Sequence, residues 1–291
     1  MLRNPIGMEI LNAFGKHKTI YIDTYGLPET ITLGICFKYN NYDDEALYFR
    51  IRAESESPYW SFASPKALGS LASGGSAYAL WDSMGQRPNP NADVEETIKL
   101  ILEAYRDENY TDLKWTYTRL VTVRLIYSPN WNLIDEDTFD EGDVEGWAGA
   151  PVGAADNRFF FKGPYLRTDY VLSPPYSIYY YALWTGYIGT SYTGDAWAYK
   201  SISVPDCIEA FATINIRFCP NTDDYRLYNV RFLFAGIVKA YYTGSIPRNR
   251  WLRFTIPLDP NTSGEFQVRV RLWEYASDPV LYIDNVRFYY R

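Results

Sequence analysis

Short runs in which every second residue is apolar, each closed by Gly, Pro, Asn or Asp, constrain this chain most. A period of two sends alternate side chains to opposite faces of a pleated strand, leaving one face to bury and one to wet. The pattern occurs in Thr19-Ile20-Tyr21-Ile22-Asp23 and in Ile31-Thr32-Leu33-Gly34-Ile35-Cys36-Phe37. It returns where Leu47, Phe49 and Ile51 alternate with Arg50 and Arg52, and again over 120–127. In the second half it predicts strands over 176–183, 196–204, 208–218, 225–235, 251–258, 266–273 and 280–289, with turn residues between them. Such a chain is all-β and antiparallel.

With 291 residues there is enough chain for two domains, each with its own core. Ser128-Pro129-Asn130-Trp131-Asn132 reads as the boundary. The short strands and turns of residues 1–130 predict an immunoglobulin-like β-sandwich, and residues 131–291 predict a second antiparallel sandwich. One stretch supports two readings. Asp93-Val94-Glu95-Glu96 has the form of a capping box, and Val94, Ile98, Ile101, Leu102 and Tyr105 keep helical spacing. Ile98, Leu100, Leu102 and Ala104 equally alternate like a strand, so helix or strand over 94–105 stays open.

Composition narrows the partners. The chain holds 28 Tyr, 9 Trp and 15 Phe against 1 His, which favours strands and large contact surfaces, with protein or with sugar. A formal net charge of -7 and the lack of any Lys/Arg run argue against a nucleic-acid partner. The arginines alternate with apolar residues, which predicts that they lie on solvated faces. No apolar run is long enough to insert into a membrane. The N-terminus has no charged-then-apolar leader, so either a leader has been removed or the protein leaves its cell another way, as a virion component released by lysis would. Cys207 and Cys219 bracket what reads as one strand, whose ends would be about 40 Å apart, too far for a disulfide. With Cys36 in the other half, three free and mostly buried thiols are expected.

An acidic, Gly-punctuated segment, Leu133-Ile134-Asp135-Glu136-Asp137-Thr138-Phe139-Asp140-Glu141-Gly142-Asp143-Val144-Glu145-Gly146-Trp147, gains meaning beside the last apolar stretch, Val280-Leu281-Tyr282-Ile283-Asp284-Asn285-Val286-Arg287-Phe288. First and last segments of a sandwich can lie side by side, which would bring Asp140 and Asp284 together. Buried carboxylates repel unless a cation separates them, and calcium takes about six to eight oxygens. The apolar phase of the last stretch slips at Asp284-Asn285, predicting a β-bulge there.

The run Asn132-Leu133-Ile134, Phe139-Asp140-Glu141-Gly142, Gly146-Trp147 and finally Tyr282-Ile283-Asp284-Asn285-Val286 resembles the jelly-roll carbohydrate-binding modules of xylanases and glucanases. The resemblance covers about the last half of the chain. It implies a jelly roll braced by structural calcium at Asp140 and Asp284, with Asp140 standing where the family has Glu. It also implies a buried core aromatic at Trp147. The same fold occurs in non-catalytic surface proteins and viral fibres.

Sugar binding needs aromatic faces, and Trp184, Tyr187, Tyr192, Trp197 and Trp273 are the candidates from Gly-rich loops and outward strand positions. Catalytic constellations are not visible. His17, between Lys16 and Lys18, would have to serve any His-based triad, and no Gly-rich phosphate loop is present. The 35 acids cluster in turns, with no pair on inward strand positions, so no enzyme is expected. Asn109-Tyr110-Thr111 and Asn261-Thr262-Ser263 are glycosylation acceptors if the protein is displayed outside a cell. These features together predict a non-catalytic structural or adhesive protein that assembles with copies of itself at an extracellular or virion surface. The alternative is a carbohydrate-binding protein or accessory module of a glycoside hydrolase.

Overall fold

The computed structural model describes residues 4–14, 18–150, 159–168, 172, 177–184, 193–218, 226–243, 249–273 and 279–291. The chain divides into two compact units, one of Met1–Ser128 with Tyr242–Ser245, the other of Pro129–Tyr241 with Ile246–Arg291.

The first unit holds β1 (Ile6–Ile10), β2 (Thr19–Asp23), β3 (Thr30–Asn41), β4 (Leu47–Ser55), β5 (Ser61–Phe62), β6 (Lys66–Leu71), β7 (Ser76–Pro88), β8 (Val94–Tyr105) and β9 (Leu113–Ile126). One sheet runs β1-β3-β7-β5 and the other β2-β9-β8-β4-β6. These orders match the ABED and GFC sheets of an immunoglobulin sandwich, with β9, β8 and β4 as G, F and C. The expected immunoglobulin-like arrangement is therefore present. The inward positions of the alternating runs form the core: Ile35 and Phe37 from one sheet, Phe49, Ile51, Leu100, Leu102 and Val123 from the other.

Residues 94–105 are a strand. β8 pairs with β9 along its length and with β4 from Ile98 to Tyr105. Ile98, Leu100, Leu102 and Ala104 are wholly buried. A central strand saturates its backbone hydrogen bonds and buries its apolar face at once, and this tertiary gain outweighs the local capping-box signal. The expectation that the arginines lie on solvated faces needs correction. Arg87 is 5% exposed, ion-paired to Glu96 and flanked by the rings of Tyr59 and Trp60.

The second unit begins after a 3-10 turn (Ser128–Asn130). It holds β10 (Asn132–Asp137), β11 (Ala148–Ala150), β12 (Phe159–Arg167), β13 (Ser177–Trp184), β14 (Thr193–Val204), β15 (Ala210–Phe218), β16 (Arg226–Phe234), β17 (Ile237–Thr243), β18 (Trp251–Leu258), β19 (Thr262–Trp273) and β20 (Pro279–Tyr290). One sheet runs β12-β13-β20-β15-β18, with β10 also on β20; the other runs β11-β14-β19-β16-β17. Apart from hairpins, the chain changes sheet at nearly every connection, giving a jelly-roll sandwich. Phe232, Phe266, Phe288, Ile214, Val268 and Ile283 fill its interior, with the Phe266 and Phe288 rings edge to face at 5.4 Å.

Two details differ from expectation. The strand expected over 208–218 starts at Ala210, and Ile208 is 84% exposed, because the 208 and 209 amides both donate to the carbonyl of Arg291 instead of joining the ladder. Cys36 is buried and Cys207 half-buried, both free, while Cys219 lies outside the described residues.

Candidate functional site

The opening and closing segments of the second unit do lie side by side. β10 pairs antiparallel with β20, Asp137 opposite Val286, so the chain leaving β10 continues toward Asp284. β20 carries the expected bulge: its register against β15 jumps from Asn215↔Asp284 to Thr213↔Arg287, and Asn285 adopts a φ of 49°.

Beyond β10 the chain turns tightly, with positive φ at Phe139, Gly142, Glu145 and Gly146. Glycine takes these values without steric cost, which explains its spacing here. The turn returns Trp147 to the interior, where it is buried as the family resemblance implies. Its indole N–H donates to Asp137 Oδ2 at 2.9 Å. Lys200 from β14 is ion-paired to Asp137 and to Asp135, the latter at 2.8 Å. Glu145 Oε1 accepts from the amide of Phe139 at 3.2 Å, while its Oε2 is buried with no hydrogen-bond partner. Burial, then the neighbouring Asp137 carboxylate, push the Glu145 carboxyl up to about 7. Burial alone would lower Lys200, but its bonds to Asp135 and Asp137 outweigh this and hold it above the usual lysine range.

The acids are thus not confined to turns. Asp137 and Asp284 are strand residues, 1% and 0% exposed. The sequence singles out Asp284 at its predicted bulge, whereas alternation misses Asp137 because β10 shifts register between Leu133 and Asp135.

Asp140, by contrast, is exposed in the turn after β10. Asp284 Oδ2 accepts from the amide of Leu172 at 2.8 Å. Beside it, Asn285 Oδ1 is a buried oxygen with no hydrogen-bond partner, an acceptor of the kind a hard cation satisfies. The donors at this end of the unit are all oxygens and fit calcium in that respect. No group of three or more His, Cys, Asp or Glu gathers for a metal among the described residues.

The sugar candidates separate. Tyr187, Tyr192 and also His17 lie outside the described residues. Trp184 ends β13, opposite Phe159 in the β12-β13-β20-β15-β18 sheet. Trp197 and Trp273 belong to the other sheet, on neighbouring strands β14 and β19.

Around Trp197 the outward face of that sheet is polar and aromatic. Trp197 on β14 pairs with Arg269 on β19, which pairs with Arg231 on β16. The Arg269 guanidinium lies over the Trp197 ring at 4.7 Å, and Arg231 over the Tyr241 ring of β17 at 5.8 Å. A row of Trp, Arg, Arg and Tyr therefore crosses four adjacent strands. At the usual strand spacing it is about 14 Å long. Flanking rows supply Tyr199 opposite Gln267, and Arg271 opposite Asn229. Gln267 and Asn229 are only 6% and 3% exposed, and their oxygens accept from Arg269 Nε at 2.8 Å and Arg231 Nε at 3.3 Å. Buried amides thus hold the guanidiniums in place. Sequence reasoning had found Trp197 alone, because Arg231, Arg269, Gln267 and Asn229 become neighbours only through the β16–β19 register.

No protein-family model and no curated protein matches this chain. Similar solved structures include the xylan-binding domain from CBM 22, at 15% identity over 54% of this chain and 94% of that one, TM-score 0.32. Another is the mannan-recognising carbohydrate-binding module TmCBM27, at 15% identity over 55% and 98%, TM-score 0.35. A third is the K1 cleaved adhesin domain of Lys-gingipain from Porphyromonas gingivalis W83, at 15% identity over 54% and 98%, TM-score 0.35. At TM-scores below 0.5 these likenesses carry no functional weight, and the jelly roll rests on the strand orders and registers given above.

Proposed function

We propose that this protein is a non-catalytic carbohydrate-binding protein displayed outside its cell. The polar-aromatic face of the second unit is its binding surface. The supporting observation is the Trp197–Arg269–Arg231–Tyr241 row, with Gln267 and Asn229 fixing its guanidiniums. Aromatic rings offer apolar platforms for the C–H faces of a pyranose, and pre-positioned amides and guanidiniums can meet its hydroxyls without further ordering cost. Titration with xylan-, mannan- and galactan-derived oligosaccharides tests this. Trp197→Ala should abolish affinity while leaving the melting temperature in place. Trp184→Ala, on the other sheet, should retain affinity; equal binding by wild type and Trp197→Ala would sink the assignment. Calcium bound through Asp140 and Asp284 belongs to the same reading, as a brace at the end of the jelly roll.

One observation favours self-assembly as a second activity. Residues 113–121 of β9 are bonded to β8 on one side and have no strand on the other among the described residues. Leu113, Trp115 and Leu120 are exposed along this edge. An open edge is a template for another strand, so a second copy pairing here would extend the sheet. That would suit a subunit of a virion turret, spike, fibre or extracellular filament. Light scattering that shows only monomer at high concentration removes this second reading.

A further inference from the structure

The β2-β9-β8-β4-β6 sheet has two unlike edges. At one, β6 is only 6 residues long, and its register against β4 shifts beside Gly69, whose φ is 83°. The Tyr39 hydroxyl donates to the bulged Leu68 carbonyl at 3.0 Å. A short, bulged edge strand resists the addition of another strand. At the other edge, Leu113–Val121 of β9 lies between the β8–β9 turn and the start of β2, where Thr19 pairs with Thr122. This stretch is about 30 Å long. Contact between β9 and β6 of successive copies would grow a filament, but β6 is guarded. Contact between β9 and its own copy closes at a dimer.

We infer that β9 pairs antiparallel with β9 of a second copy across a two-fold axis at Tyr117, joining the two sheets into one. This rests on the self-assembly reading and adds its partner, symmetry and register. With the axis at Tyr117, Leu113 faces Val121 of the second copy, and the free stretch is used from end to end. Moving the axis to Thr118 would lay Leu113 and Lys114 of the second copy over Thr19 and Ile20, where β2 already stands. Moving it to Thr116 would leave Leu120 and Val121 uncovered. The chosen register also sets no like charges opposite each other: Arg119 faces Trp115 and Lys114 faces Leu120, the first a cation–π pair. Trp115 is fixed for that contact by its indole N–H, which donates to Asp43 at 2.5 Å. Beyond the paired stretch, Asp112 falls opposite Thr122, whose amide donates to the carbonyl of Lys18. The acidic β8–β9 turn of each copy, with Asp107, Glu108 and Asp112, thereby meets a lysine of the other.

Two measurements on the full chain test this. Light scattering over rising concentration should give a mass that doubles and then stays constant. Thr116→Cys and Thr118→Cys, both at exposed positions, are then oxidised separately and after mixing under reductant, with wild type as the control for the native thiols. Facing residues of an antiparallel pair stand about 5.5 Å apart between Cα atoms, within reach of a disulfide. Position 116 faces position 118 of the second copy and neither faces itself. The mixture should therefore yield at least about tenfold more covalent dimer than either variant alone, with both variants melting like wild type. A dimer whose mixture cross-links no better than the separate variants overturns the Tyr117 axis. Masses that keep growing past the dimer overturn the closed pairing and leave the self-assembly reading standing. Monomer at every concentration overturns both.

Discussion

Glu145 and Lys200 carry the clearest consequences of single side chains. In an unfolded chain Glu145 titrates at its ordinary value of 4.5, and in the folded protein at about 7. Between those values the folded state holds an extra proton, so the contribution of Glu145 to stability is fully present below about 4.5 and is lost as pH rises through about 7. Glu145→Gln should flatten that decline, which urea unfolding at several pH values would detect. An unchanged slope would mean that Glu145 is not the group responsible. Lys200 is the positive charge between Asp135 and Asp137. Replacing it with Met leaves Asp137 buried against Glu145 without a cation and should cost about 3–5 kcal/mol in equilibrium unfolding. A loss under 1 kcal/mol would show that the pair is not structurally important. The general argument that buried acids need a cation was legible in the sequence; that the protein supplies part of that charge through a lysine on a distant strand was not. Lys200 shares the inward parity of Ala198, Ile202 and Val204, but nothing local names Asp135 and Asp137 as its partners.

Among strands, β20 and β9 make the sharpest predictions. The bulge in β20 was legible because apolar phase is a local property: Leu281 and Ile283 share one phase, Val286 and Phe288 the other. If calcium braces Asp284 there, chelator should lower the melting temperature by several degrees, and Asp284→Ala should already be low and insensitive to chelator. Identical melting curves with and without chelator would remove the calcium proposal. On β9, Thr122 bonds outward to Lys18, so the even-numbered residues before it turn their amides to the open edge. Thr118→Pro removes one such amide without touching the β8 ladder. It should reduce any assembly seen by light scattering while sparing the fold. Helix against strand at β8 was not legible. Capping and helical spacing are read within a few residues, whereas the decision came from β4 and β9 closing on both sides.

For the whole molecule, alternation predicted all-β character and most strand positions, because burial of one face leaves a period-two record in the chain, while the jelly roll was implied by the family resemblance of the second half. The binding face left no such record. Its residues alternate with core positions on four strands whose registers are set by pairings far apart in sequence. Trp184 and Trp197 look equivalent in sequence, yet the topology puts them on opposite sheets. Outward-facing arginines beside buried amides are informative only once a face has been assembled.

Calorimetric titration of wild type and Trp197→Ala with an oligosaccharide selected from a glycan screen decides whether this face binds carbohydrate. Wild type should bind with measurable affinity, and Trp197→Ala should lose that affinity at an unchanged melting temperature. Equal affinity in the two proteins would contradict it.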